Sequence, residues 1–105
     1  MVLKARTHVV EVAGVGQFEF QHRTLTLQVG VEAILLRMLD GPVSSEQLRY
    51  VARAIATIQK LMVRAPDRFD LDAIDPVNDA EVDDVLKVYG GLLEAEATFR
   101  RPASA

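Results

Sequence analysis

His8 and His22 are the only histidines of the chain, and no cysteine accompanies them. If their segment folds so that they meet, they make a pair of imidazoles able to hold a transition metal. No carboxylate lies at a characteristic ligand offset from either, and strand-end histidines are commonly solvated, so no metal is expected there. Asp70-Leu-Asp72-Ala-Ile-Asp75 resembles the start of a Ca²⁺ loop. It lacks the third alternate oxygen ligand, the glycine of the sharp turn and the distal bidentate Glu. Asp70, Asp72 and Asp75 are therefore read as turn and cap acceptors. The serines Ser44, Ser45 and Ser104 fall at a helix start and in the tail, with no base in a recognisable arrangement. Carboxylate pairs exist in an acidic band, but nothing points to the apolar pocket that raises one pKa for acid catalysis. Gly14-x-Gly16 is too short for a dinucleotide fingerprint and no helix follows it directly. These residues point to no enzyme, no cofactor and no metal.

The 105 residues are expected to form a single domain, large enough for one core without staples. Half of them are hydrophobic, so the chain is expected to fold. Before residue 67, Lys and Arg outnumber Asp and Glu. Residues 67–84 hold Asp67, Asp70, Asp72, Asp75, Asp79, Glu81, Asp83 and Asp84 against Arg68 alone. That band repels phosphates and no basic, aromatic-laced stripe compensates, so a nucleic-acid partner is not expected. Lys4 and Arg6 precede no apolar run of the kind found in signal peptides, and no segment is long and apolar enough to span a membrane. A soluble protein without a membrane partner is the expectation.

Residues 7–22 read as a β-hairpin. Val10 and Val12 flank Glu11, Phe18 and Phe20 flank Glu19, and Ala13-Gly-Val-Gly16 supplies the turn. A first helix over 24–39 follows, with Thr24 as N-cap. Leu27, Val31, Ile34, Leu35 and Met38 form one stripe on it, and Leu25, Val29, Leu36 and Leu39 form another. A surface helix needs only one. Two stripes mean either burial in the middle of the domain, between the hairpin and the rest, or a partner covering the second face. The alternation of Leu25, Leu27, Val29 and Val31, with Gly30 among them, also admits a third strand before a helix that starts near Val31.

Asp40-Gly-Pro-Val43 stops that helix, and Ser44 with Gln47 has the spacing of a capping box for a second helix over 44–64. Its core stripe is Leu48, Val51, Ala52, Ile55, Ile58 and Met62, with Leu61 at the border. Leu61 to Pro76 forms a joint in which Phe69, Leu71 and Ile74 anchor an acidic loop; Pro66 and Pro76 keep Ala65 and Asp75 out of α conformation. Phe69 is the key anchor expected. Asn78 with Glu81 opens a third helix over 79–99, carrying Val82, Val85, Leu86, Tyr89, Leu92, Leu93 and Phe99, and interrupted by Gly90-Gly91. Residues 100–105 read as a flexible polar tail.

Three signatures occur in order: Phe18-x-Phe20-x-x-Arg23-Thr24, Ala65-Pro66-x-x-Phe69-Asp70-Leu71-Asp72, and Val88-Tyr89 followed by Glu96-x-x-Phe99-Arg100. Together they resemble the tail-assembly chaperones of long-tailed, siphovirus-like bacteriophages, over residues 18–101. The valine-rich hairpin is longer than the short strand that such proteins would carry before the first helix. The resemblance implies a non-enzymatic, mostly helical, self-associating protein of the host cell cytoplasm. It would bind the tape-measure protein, recruit tail-tube subunits around it and leave before the tail is finished. It transfers no functional residue to this chain.

The reading is an α+β domain, mainly α, with an N-terminal β-hairpin packed on three helices. The expected function is that of a phage tail-assembly chaperone, with Leu25, Val29, Leu36 and Leu39 as candidate partner contacts. A structural tail-completion protein of the virion, or a small phage adaptor or inhibitor of a host protein, are the alternatives.

Overall fold

A computed structural model describes residues 7–39, 45–74 and 78–100, the last without its side chain. The fold is α+β and mainly α, with a hairpin, three α-helices and a short third strand among the described residues. Strands β1 (Thr7–Val12) and β2 (Gly16–Gln21) pair antiparallel with Val10 opposite Phe18 and His8 opposite Phe20. Alternation puts His8, Val10, Val12, Phe18 and Phe20 on the buried face. The turn closes through the Val15 amide donating to the Val12 carbonyl at 3.0 Å, with Gly14 at φ +80°. Gly16 is needed for a second reason: a side chain there would run into Pro66.

Helix α1 (Leu25–Leu39) starts as expected, with the Thr24 hydroxyl accepting from the Leu27 amide at 3.2 Å. The alternative of a strand before Val31 is not what forms. Gly30 sits mid-helix, where the Lys60 chain lies across it and a Cβ would come within 2.6 Å of Lys60 Cε.

Helix α2 (Glu46–Leu61) is capped by Ser45, whose hydroxyl accepts from the Leu48 amide at 3.2 Å; the proposed Ser44 cap and the stop at 40–43 lie outside the described residues. With Ser45 as cap, Leu48 takes the position where a capping box needs Glu or Gln.

The helix also ends earlier than expected. Met62–Arg64 leaves it as β3, pairing antiparallel with β2 so that Met62 faces Phe20 and Arg64 faces Glu19. Pro66 supplies the reason: its ring would clash with the Met62 carbonyl four residues back if the helix ran on. The sheet order is β1-β2-β3.

The joint then turns back on the sheet, with the Phe69 amide donating to the Pro66 carbonyl at 2.9 Å. The Phe69 ring stands edge-on to Phe18, centroids 4.8 Å apart, and Leu71 and Ile74 pack against the same core. Asp70 behaves as a turn acceptor, its carboxylate taking the Asp72 amide at 3.0 Å in a 3-10 turn (Leu71–Ala73). Asp75 and Pro76 lie outside the described residues.

Helix α3 (Asp79–Arg100) is capped by the Asn78 side chain and runs unbroken through Gly90-Gly91. Arg100, expected in the tail, ends α3 instead, and the rest of that expectation, residues 101–105, lies outside the described residues. Gly91 marks a close approach, since a Cβ on it would lie 2.7 Å from Val10 Cγ1 of β1. Val85, Val88, Tyr89, Leu92 and Glu96 form the buried stripe, whereas Leu93 and Phe99 stay partly exposed.

Burial on α2 differs from the expected stripe. Ala52 and Ala56 are buried towards α1, and Ala54, Ile58 and Leu61 on the opposite side join the hairpin and α3 in the main core. Leu48, expected in the core, is 58% exposed. Alanines carry no bulk and let helix axes approach closely, so the small side chains make the contacts that a search for large ones overlooks. The helix in the middle of the fold is therefore α2, and α1 forms an outer layer.

Candidate functional site

Helix α1 packs against α2 and makes no comparable contact with the sheet or α3 among the described residues. Val31 and Leu35 are buried in that seam, with Ile34 and Leu39 packed beside Ala52 and Ala56. Met38, expected in the same stripe, is 42% exposed near the helix end. The second stripe points away. Leu25 is 82%, Val29 62% and Leu36 72% exposed, and exposed Ala33 lies between the last two. Spacings of four, four and three residues keep these positions within about a quarter turn and roughly 16 Å of helix length. Leu39 belongs elsewhere, because it is half-buried against the α1–α2 cluster. Of the expected contacts, Leu25, Val29 and Leu36 share an open face and Leu39 does not.

Half-exposed Glu32, paired with Arg53, borders this apolar stripe, and monomeric proteins seldom leave a continuous apolar stripe on one helix uncovered. Its orientation is fixed by a chain of polar contacts no sequence pattern announced. Arg23 grips the buried Glu96 of α3 with two hydrogen bonds of 3.0 Å and donates to Gln28 of α1 at 2.7 Å. Gln28 donates to Glu32 at 3.1 Å, and Glu32 receives Arg53 of α2 at 3.1 Å. A carboxylate as deeply buried as Glu96 requires such pairing. The partners are 73 residues apart, so only the fold joins them. Arg23 and Glu96 are signature residues, as are Phe18 and Phe69; the four serve here as architecture.

The two histidines do meet. His8 Nε2 and His22 Nδ1 lie 3.0 Å apart, and the Phe99 ring stands 5.3 and 4.4 Å from their ring centroids. Burial pushes the His8 pKa below its ordinary 6.5, the neighbouring His22 adds to this, and Glu96 opposes it. One imidazole thus donates and the other accepts within an apolar cap over the hairpin's open end. Among the described residues no cluster of three or more His, Cys, Asp or Glu is arranged to hold a metal ion. No helix among them is long and apolar enough to cross a membrane.

Comparison with known protein families, with curated proteins and with solved structures finds no match to this chain in any of the three.

Proposed function

We propose that this chain is a non-enzymatic binding protein that receives a helical partner along the outer face of α1. The observation that carries the reading is the apolar stripe of Leu25, Val29, Ala33 and Leu36, exposed on a helix that packs mainly against α2 among the described residues. An apolar helix face of this kind fits the grooves between helices of a coiled-coil-rich client. The resemblance of the chain's signatures then favours one such client. In this reading the protein is a phage tail-assembly chaperone that coats the tape-measure protein in the host cell cytoplasm, recruits tail-tube subunits and self-associates.

Magnitudes shape the mechanism. Covering Leu25, Val29 and Leu36 gains roughly 1–2 kcal/mol each, a gross total of about 3–6 kcal/mol. Association itself costs at least about 4 kcal/mol. One copy would hold its client weakly and leave readily, as a chaperone must. Many copies along one extended client would hold by avidity. The acidic band of residues 67–84 keeps the free protein dispersed while the stripe is open.

The test is co-expression with the tape-measure protein, comparing wild type with the double variant Val29→Asp and Leu36→Asp. Both positions are exposed, so the variant is expected to keep its circular dichroism and lose the complex. A variant that still co-purifies in full sinks the α1 reading. Stoichiometric copies of the chain in purified particles would instead identify a tail-completion subunit.

A further inference from the structure

The sheet order leaves β1 at an edge, and among the described residues nothing pairs with its outer side. A groove of about 460 Å³ lies between that edge and α3, within the range of ligand-sized sites. Its two walls run antiparallel: His8 lies beside Phe99, while Val10 lies beside Gly91. On the α3 wall, Gly91, Glu94, Ala95 and Thr98 recur at helical spacing, and three of these four side chains are small. On the β1 wall, Val9 is 60% exposed. Glu11 and Glu94 line the groove, are exposed, and take part in none of the ion pairs among the described residues.

We infer that this groove receives an extended partner segment alternating apolar and basic residues, which adds to β1 as a further strand of the sheet. The edge supplies a row of main-chain donors and acceptors, which give affinity without sequence preference. The groove takes the apolar side chains over the small residues of α3 beside Glu94, and Glu11, on the opposite face of β1 from α3, selects the basic ones between them. A second copy of this chain is disfavoured as occupant, because pairing β1 with β1 brings a second Glu11 and Glu94 to the same seam. The surface is separate from the α1 stripe and does not depend on its role.

The experiment is an NMR titration of the isotope-labelled full chain with a capped peptide of about eight residues, alternating Val or Thr with Lys. Saturable shifts are expected at the amides of Val9, Glu11 and Glu94. The exposed double variant Glu11→Lys with Glu94→Lys is expected to bind this peptide at least ~10-fold more weakly and to prefer a Glu-containing counterpart. Two further peptides are N-methylated on one or the other alternate set of residues. Only one set faces β1 in an added strand, so one peptide should lose binding and the other keep it. The variant Val29→Asp with Leu36→Asp should bind as wild type does. Absence of saturable shifts, equal loss with both methylated peptides, or β1 shifts that depend on protein concentration without peptide would each overturn the inference. The last outcome would assign the groove to a second copy.

Discussion

The two seams that flank α2 are built from different materials. On one side, Ile58 and Leu61 meet Phe18, Phe20, Val85, Val88 and Leu92, large side chains with 0–1% exposure that interlock sheet and helices. On the other, Ala52 and Ala56 meet Val31 and Leu35, a thin contact reinforced by the polar chain from Glu96 through Arg23, Gln28 and Glu32 to Arg53. The first seam stabilises by volume. The second stabilises by a small apolar contact and a few charged hydrogen bonds, dry at Arg23–Glu96 and about half-exposed at Glu32–Arg53. A layer held in this way can be loosened without melting the rest.

The largest break is expected from Phe18→Ala, which empties the main core and should cost about 3–5 kcal/mol in denaturant unfolding. Next comes Arg23→Ala, at about 3 kcal/mol, because it strands the buried Glu96 carboxylate. Leu35→Ala should cost about 2 kcal/mol, and hydrogen exchange should show the loss concentrated in α1 amides. Uniform acceleration throughout the chain would refute the layered picture.

A smaller effect concerns the histidine cap, which ties the main seam's hairpin to α3. The folded-state pKa of His8 is lowered, so the unfolded chain binds more protons at acid pH. The stability that depends on neutral His8 is complete above 6.5 and is lost as pH falls through 6.5 towards the folded value. Thermal melts should therefore fall over mildly acid pH, with a shallower fall in His8→Gln.

The smallest contrast separates neighbouring glycines. Gly90→Ala meets nothing within 4 Å and should stabilise α3 by about 0.5–1 kcal/mol. Gly91→Ala should be destabilising, because its Cβ would press on Val10.

What the sequence disclosed was whatever depends on near neighbours. The hairpin alternation, the Thr24 cap, the Asp70 turn and the anchoring of Phe69 all follow from residues within a few positions of each other. The strand Met62–Arg64 was hidden because its partner, β2, lies some forty residues earlier, and its residues also extend the helical period. The double-sided burial of α2 was hidden by its alanines, which count for little in a search for large apolar stripes. As for the site, the second stripe of α1 was legible from spacing alone, while Leu39 was misplaced because spacing does not tell how far the α1–α2 seam extends. Arg23 with Glu96 is a product of topology that no local pattern encodes, whereas the meeting of His8 with His22 follows from the hairpin whose ends they mark.

The contact between β1 and α3 has a consequence for biosynthesis. The hairpin leaves the ribosome first and α3 last among these elements, yet Val10 finds Gly91 and His8 finds Phe99 only across that whole interval. At translation rates of about 5–20 residues per second, the Val and Phe face of the hairpin waits several seconds for its cover. A two-stranded hairpin is marginal by itself, so it gains support only as α2 and β3 emerge, and the β1 side that meets α3 stays open until α3 is released. Nascent chains stalled before Val85 should accordingly remain more protease-sensitive along β1 than the finished chain.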